Sequence, residues 1–147
     1  MSPQPIGISP FLFIFFFFFI ISSATIFQSS LADIGPAARY TPPYIPTACF
    51  DNEVSQFPTD NMFAAAGEGI WDNGASCGRS YLVRCISASS TTICDPSKII
   101  QVKIVDRAQT SISIPSADGA IIVLSDTAFS QFTNSPASLI NVEFRQV

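Results

Sequence analysis

Ile99–Val105 reads IIQVKIV and is the segment from which the fold can be read most directly. Its apolar residues at positions 100, 102 and 104 alternate with Gln101 and Lys103, and a period of two residues is typical of a strand with one buried face. Ser80–Ile86 (SYLVRCI) has the same period, with positions 81, 83 and 85 on one face and Leu82 and Arg84 on the other. The chain is therefore predicted to build its core from strands.

The rest of the chain supplies more short elements. Further strands are predicted at Ala38–Thr41 (a short edge strand), through the alanines that follow Phe63, at Ala120–Leu124 and at Leu139–Phe144. Gly67 and Gly69 limit helix to one turn before Trp71, and Ser125 is predicted to cap a short helix that ends near Phe132. Loops are predicted at residues 50–61, 87–92 and 107–119. About six short strands, one or two helical turns and long loops favour a small β-barrel over a sandwich.

The first 32 residues carry no charged side chain, and Phe11–Ile21 is an unbroken apolar run of 11 residues. A run of this length fits the core of a secretory signal and is shorter than the ~20 residues of a membrane-spanning helix. Small residues at 30 and 32 place the expected cleavage between Ala32 and Asp33. We therefore expect a cleaved signal peptide over 1–32, a single secreted domain over 33–147, and no stable membrane insertion.

Charge and composition exclude several function classes. The chain has 7 basic and 11 acidic residues, a formal net charge of −4 and no histidine. A net acidic domain with scattered cations is a poor ligand for nucleic acid. Without histidine, Ser-His-Asp and Cys-His catalysis and histidine metal sites are excluded, and no phosphate-binding glycine motif occurs. We expect no cofactor and no metal.

The four cysteines are Cys49, Cys77, Cys85 and Cys94. An even number of cysteines in an exported chain indicates two disulfides, and four cysteines allow three connectivities among which spacing does not choose. A zinc site is disfavoured because the sequence has no Cys-x-x-Cys pair.

The remaining general acid–base chemistry would need paired carboxylates. Candidates are Asp72, Asp106, Asp118 and Asp126, of which Asp106 follows a buried strand and is the best candidate for a polar site. Turn, helix-start and structural hydrogen-bonding roles compete with a catalytic role at each. The aromatic residues Tyr40, Tyr44 and Trp71 could stack on sugar rings, although core or edge packing is the commoner role for such side chains.

Several segments, taken in order, resemble a known family. They are Tyr40–Tyr44 (YTPPY), Pro46–Cys49 (PTAC), Ile70–Arg79 (IWDNGASCGR), Val83–Cys85 (VRC), Val102–Asp106 (VKIVD), and Leu124-Ser125 with Ala128-Phe129. The ordered set is similar to the plant natriuretic peptide-like proteins, the group of the citrus blight-associated protein, which are single-domain relatives of the expansin N-terminal domain. The match covers essentially all of 33–147.

The resemblance implies a six-stranded double-psi β-barrel with the pairings Cys49–Cys77 and Cys85–Cys94. It also implies a non-enzymatic signalling protein of the apoplast that acts in water and solute homeostasis, as a monomer, through a plasma-membrane receptor. The alternative is a defence-related or wall module whose groove binds polysaccharide. The residues expected to take part in recognition or to line a groove are Tyr40, Trp71, Asp72, Arg79, Arg84 and Asp106.

Two departures from the family pattern bear on chemistry. In expansins and related lytic enzymes an aspartate precedes the Leu-Ser pair, whereas this chain has Val123, which cannot transfer a proton. Ser80 stands at an expansin cysteine position, so one family disulfide is missing. Glycan cleavage is therefore disfavoured.

Overall fold

The computed structural model describes residues 2–3, 7, 31–88, 94–108, 119–133 and 139–147. The predicted signal peptide lies almost entirely outside these residues, as do parts of the predicted loops at 87–92 and 107–119 and the candidate Asp118. In the described part of the chain, no helix combines the length and apolar character needed to cross a membrane.

The described elements are six strands and two short helices. The strands are β1 Asp33–Tyr40, β2 Phe63–Ala66, β3 Ser80–Ala88, β4 Ile99–Arg107, β5 Ile122–Ser125 and β6 Leu139–Gln146. The helices are α1 Glu68–Trp71 and α2 Asp126–Ser130, and single 3₁₀ turns occur at Val54–Gln56 and Asp72–Gly74.

The six strands form a closed barrel in the order β1-β5-β2-β4-β3-β6. Two pairs, β1 with β5 and β2 with β4, are parallel, and the other four pairs are antiparallel. The six-stranded barrel predicted from the sequence is confirmed. Closure gives every strand two neighbours, so no strand presents an open edge.

The barrel interior is filled by the faces that alternation predicts. Val83 and Cys85 of β3 and Val102 and Ile104 of β4 are essentially inaccessible to solvent, whereas Gln101 is exposed. Phe129 of α2 completes this main core. The strand through the alanines of β2 and the single helical turn after it are also as predicted.

A second buried cluster lies on the outer face of the barrel. Because side chains alternate along a strand, Ala38, Phe63 and Val123 point away from the main core and pack together instead. The segment between β1 and β2 covers them with aromatic rings: Tyr44 and Phe57 each have their ring centroid 4.8 Å from that of Phe63. We call this group the outer cluster; its buried members are Ala38, Tyr40, Phe63, Ala65, Val105, Ala108, Ala120 and Val123.

The predicted edge strand at Ala38–Thr41 is wrong in extent and in kind. β1 begins at Asp33 and pairs with both β5 and β6. An edge was expected because Pro42, Pro43 and Pro46 have no N–H to donate, but these prolines follow the end of β1 at Tyr40. Pro36, inside β1, is tolerated because pairing with β5 begins only at Ala37, so β5 needs no donor from it.

Two disulfides fasten the barrel, with the pairing that the resemblance implies. Cys49–Cys77 joins the segment before β2 to the segment before β3, and Cys85–Cys94 joins β3 to the residues that lead into β4. Both bridges restrict the unfolded chain and so stabilise the folded one.

Candidate functional site

Trp71 is held at the end of α1 by backbone contacts. Its N–H donates to the carbonyl of Gly67 (3.0 Å), and its own carbonyl accepts from the Ser76 hydroxyl (2.9 Å). The next residues, Asp72 and Asn73, have φ of 52° and 51°, in the left-handed region that Asn and Asp tolerate best among residues with a side chain. The chain therefore reverses directly after the indole, which leaves Trp71 partly exposed.

Gly67 fixes the position of this helix against the barrel. Its N–H donates to the carbonyl of Ile121 (3.0 Å), and a Cβ at residue 67 would lie 2.4 Å from the Ala120 oxygen and 2.5 Å from the Ile121 oxygen. Only glycine permits this close approach of two backbones. The position of Trp71 thus depends on a missing side chain four residues earlier.

The partly exposed indole lines an open cleft of about 550 Å³. We call it the Trp71 cleft; it is bounded by Leu31, which precedes the expected cleavage point and so belongs only to the uncleaved chain, and by Asp33, Glu68, Gly69, Ile70, Trp71, Asp72, Asn73, Arg79, Tyr81 and Gln146. Its volume falls within the ~300–1,000 Å³ typical of small-ligand sites. Three of the six residues singled out from the sequence, Trp71, Asp72 and Arg79, therefore share one site.

Two arginine–carboxylate pairs lie near Trp71. Arg79 Nη2 donates to Asp72 Oδ2 at 2.9 Å, and this hydrogen bond raises the pKa of the Arg79 guanidinium above its usual value. In the second pair, Arg107 Nη2 donates to both carboxylate oxygens of Glu68 (2.8 and 3.1 Å). The guanidinium carbon of Arg107 lies 5.6 Å from the indole centroid, a cation–π distance.

Arg84 does not belong to this cleft. It projects outward from β3 and forms an ion pair with Glu143 of β6. The pair lines a separate depression of about 130 Å³. The structure therefore gives Arg84 a cross-strand partner on another face of the barrel.

Tyr40 and Asp106 also lie apart from Trp71, at the outer cluster. Asp106 lies within β4 and is fully buried, and its Oδ1 accepts from the backbone N–H groups of Ala48 (2.7 Å) and Arg107 (2.8 Å). Burial, followed by the charge of Asp106, raises the pKa of the Tyr40 phenol far above its usual value. Tyr40, Trp71 and Asp106 therefore do not share a groove, and the prediction that they line one together is wrong.

Strand register locates Val123, the residue at the position where the family resemblance leads one to expect an aspartate. Ala65 of β2 pairs with Val123 of β5 on one side and with Asp106 of β4 on the other. Val123 and Asp106 are therefore two strand spacings apart, roughly 10 Å. Both side chains are fully buried, and only one of them is a carboxylate. Val123 and Asp106 therefore do not form a pair of carboxylates.

Other polar residues have structural roles. Asp126 begins α2 and pairs with Arg39, while the Ser125 hydroxyl accepts from the N–H of Ala128 (3.2 Å), as the predicted cap requires. Among the described residues, no group of three or more acidic or cysteine side chains is placed to hold a metal ion.

Glu68, Arg107 and Asp33 belong to the surroundings of the cleft but were not among the predicted site residues. Glu68 and Arg107 are 39 positions apart in the sequence, and the parallel pairing of Ala66 with Arg107 brings them together. Parallel register leaves no local signal in the sequence, whereas Asp72 and Arg79 are seven positions apart and could be found in one segment.

Comparisons with known proteins place this geometry in a family. The double-psi β-barrel family described as lytic transglycolase matches residues 64–144. An EG45-like domain containing protein of Citrus jambhiri is 39% identical over 82% of this chain and 86% of its own length. In Arabidopsis thaliana, EG45-like domain containing protein 2 is 29% identical over 83% of this chain and 90% of its own length.

Solved structures agree on the fold. A mutant of the Clavibacter michiganensis expansin in complex with cellohexaose superposes with a TM-score of 0.58 at 20% identity, and the apo expansin does so with 0.55 at 19%. Each match covers 80% of this chain, which spans half the length of the expansin chains. Because the double-psi β-barrel family matches more than half of the chain and the Citrus jambhiri relative is 39% identical over 82% of it, the chain belongs to the expansin-like family of EG45-like domain containing proteins.

Proposed function

We propose that this protein is a non-catalytic extracellular module that binds polysaccharide of the plant cell wall through the Trp71 cleft. The observation that carries the proposal is the partly exposed indole, which lines an open cleft together with the carboxylates of two arginine–carboxylate pairs. Indole rings offer a flat apolar surface to the apolar faces of sugars, and the charged groups around the ring can bond to hydroxyls.

An extracellular location is supported by three features. Disulfides persist in oxidising compartments, and this chain forms two. The N-terminal apolar run has the length of a secretory signal. Strand β1 begins at Asp33, so cleavage after Ala32 would leave every paired residue of the barrel in place.

The absence of catalysis is supported by Val123. The residue lies in an apolar environment beside Ala38 and Ala65, and it supplies neither a proton nor a nucleophile. The cellohexaose in the structure of the Clavibacter michiganensis expansin mutant supports the choice of polysaccharide as ligand.

The proposal is tested by pull-down on insoluble wall polymers. The full chain is expressed in a secreting host, and the protein recovered from the medium is incubated with cellulose, chitin and pectin. We expect retention on at least one polymer, loss of that retention in Trp71→Ala, and no release of reducing ends.

Phe50→Ala is the matched control, since Phe50 is also partly exposed and carries a cation, Lys103 Nζ, 5.2 Å from its ring centroid. Its retention should equal that of the wild type. Circular dichroism of each variant separates loss of binding from loss of folding. Wild-type protein that stays in solution with all three polymers would contradict the proposal.

A second candidate is signalling in water and solute homeostasis through a plasma-membrane receptor. It is favoured by the Cys49–Cys77 bridge, which closes a segment that presents Trp71 and the exposed Asp72 at the surface. The measurement is swelling and ion flux of plant protoplasts exposed to the secreted protein. Activity that survives in Trp71→Ala would separate this role from polysaccharide binding, and inert wild-type protein would contradict it.

A further inference from the structure

We propose that the Trp71 cleft selects neutral, hydroxyl-rich glycans and rejects acidic polyuronides, an inference that rests on the proposed glycan-binding function. The argument depends on how the charges around the indole are paired. An unesterified polyuronide carries a carboxylate on each sugar unit, whereas cellulose and related glucans carry none, so the two classes of ligand differ in charge.

The two cations beside the indole already have carboxylate partners. Arg79 is bonded to Asp72, and Arg107 is bonded to Glu68 through both carboxylate oxygens. A ligand carboxylate would have to displace one of these partners to reach a guanidinium. Displacement leaves a carboxylate of the protein beside that of the ligand, and like charges at short distance repel.

The relative exposure of the pairs strengthens this selection. The side chains of Glu68 and Asp72 are 62% and 59% exposed, whereas those of Arg107 and Arg79 are 35% and 32% exposed. More of each carboxylate side chain than of its arginine partner is therefore accessible to an approaching ligand. Asp33, also exposed, lines the cleft as well, but cleavage after Ala32 gives it an α-ammonium that offsets its carboxylate at pH 6, so the selection depends on the two pairs.

A neutral glycan can use the same pairs without separating them. A sugar hydroxyl both donates and accepts, so it can donate to a paired carboxylate and accept from the guanidinium beside it. Bonds in which one partner is charged are shorter and stronger than bonds between neutral groups. Glu68 and Asp72 line the same cleft as Trp71, so the indole can take the apolar face of a sugar while the pairs take its hydroxyls.

The experiment uses a probe that the sequence supplies. Trp71 is the single tryptophan of the chain, so tryptophan fluorescence reports on this cleft alone. The secreted protein is titrated with cellohexaose and with hexagalacturonate at pH 6 and physiological salt. We expect saturable change with cellohexaose and at least roughly tenfold weaker binding of hexagalacturonate, with the ratio widening as salt is lowered and screening falls.

Asp72→Asn tests whether the Asp72–Arg79 pair sets the selection, because it should change the binding of the two oligosaccharides in opposite directions. Asparagine tolerates the left-handed backbone at residue 72 but leaves Arg79 without its anion. Binding of cellohexaose should weaken severalfold while binding of hexagalacturonate strengthens, so the ratio falls by roughly tenfold, as loss of one charge-assisted bond permits. Glu143→Gln is the matched control, because it breaks the Arg84 ion pair outside the cleft and should leave the ratio unchanged.

The outcomes distinguish failure of the proposed selection from failure of the proposed polysaccharide binding. Equal binding of both oligosaccharides, or a ratio unaffected by Asp72→Asn, overturns the selection but leaves polysaccharide binding standing. No fluorescence change with either oligosaccharide, together with no retention on any wall polymer, overturns the proposed function and the inference with it.

Discussion

The Trp71 cleft and the outer cluster are built from similar residues but have opposite environments. Each combines an aromatic side chain with a carboxylate, Trp71 with Asp72 in the cleft and Tyr40 with Asp106 in the cluster. In the cluster, rings from the segment between β1 and β2 cover the polar groups and exclude water. In the cleft, a left-handed turn directs the chain away and leaves the ring at the surface. Residue type alone therefore does not identify a binding site, because the neighbouring segments determine whether the side chains are covered or exposed to ligand.

The difference also separates two kinds of carboxylate. Asp106 accepts from the N–H of Ala48, next to Cys49, so its bonds hold the covering segment against β4. The Asp72 side chain accepts instead from Arg79 at the surface, and it can exchange that bond for a ligand. A buried carboxylate with backbone donors is part of the scaffold, and its removal would cost stability more than binding.

The largest expected effect comes from placing a charge in the outer cluster. Val123→Asp puts a carboxylate in a fully buried apolar site, about two strand spacings from Asp106, and we expect a loss of about 3–5 kcal/mol in the free energy of unfolding. Burial and the nearby Asp106 both raise the pKa of the new carboxyl. The folded protein then binds its proton more tightly than the unfolded one, so the loss should shrink as pH falls toward 4.

Chemical denaturation at pH 7 and at pH 4.5 measures this dependence. Val123→Asn is the control, because it has nearly the same shape as the aspartate variant and no charge to titrate. A stable Val123→Asp variant with an ordinary carboxyl pKa would mean that the outer cluster is open to water. That result would remove the contrast between the two regions.

A smaller effect is expected where the cleft meets the barrel. Gly67→Ala forces its Cβ to within 2.5 Å of two backbone oxygens, which cannot move without shifting the start of β5. Overpacking of this kind costs about 2–3 kcal/mol. Since Gly67 also begins α1, the emission maximum of Trp71 should shift at the same time.

Gly69→Ala is the matched control two residues away. The nearest atom its Cβ would meet is the end of the Ile121 side chain, at 4.0 Å. We expect a change within about 1 kcal/mol, on the stabilising side, because alanine favours helix over glycine. Equal losses in the two variants would show that close backbone approach is not what positions the helix.

How much of this could be predicted from the sequence depends on the range of the interactions involved. The alternation in β3 and β4 and the Ser125 cap are local, and both were predicted correctly. Trp71, Asp72 and Arg79 could be predicted as parts of one site because they belong to one segment with a strong turn signal. The prediction of an edge strand at Ala38–Thr41 was wrong because the prolines that follow it were taken as edge markers, although the closed barrel has no edge.

The remaining site residues needed information that only the folded barrel contains. Tyr40 and Asp106 were grouped with Trp71 by chemical type, but the faces of their strands separate them. Glu68 and Arg107 meet through parallel strands, which the spacing of residues along the chain does not encode. Sequence reasoning therefore found the half of the cleft formed by one segment and missed the half formed by strand pairing.

The smallest expected effect removes one oxygen atom from the outer cluster. The Tyr40 hydroxyl is buried and has no hydrogen-bond partner among the described residues, so Tyr40→Phe should leave the free energy of unfolding at pH 7 within about 1 kcal/mol of wild type, on the stabilising side. Tyr44→Phe should lower the free energy of unfolding, because the Tyr44 hydroxyl accepts from the N–H of Asp126 (3.2 Å).

The effect of Tyr40→Phe should be clearer in alkali. Burial raises the pKa of Tyr40, so the folded chain keeps a proton that the unfolded chain releases near pH 10, and stability is lost as pH rises above that value. Denaturation of wild type and Tyr40→Phe between pH 9 and 11 should therefore show a shallower decline in the variant. Identical slopes would mean that the phenol reaches solvent, and the outer cluster would then be as accessible as the cleft.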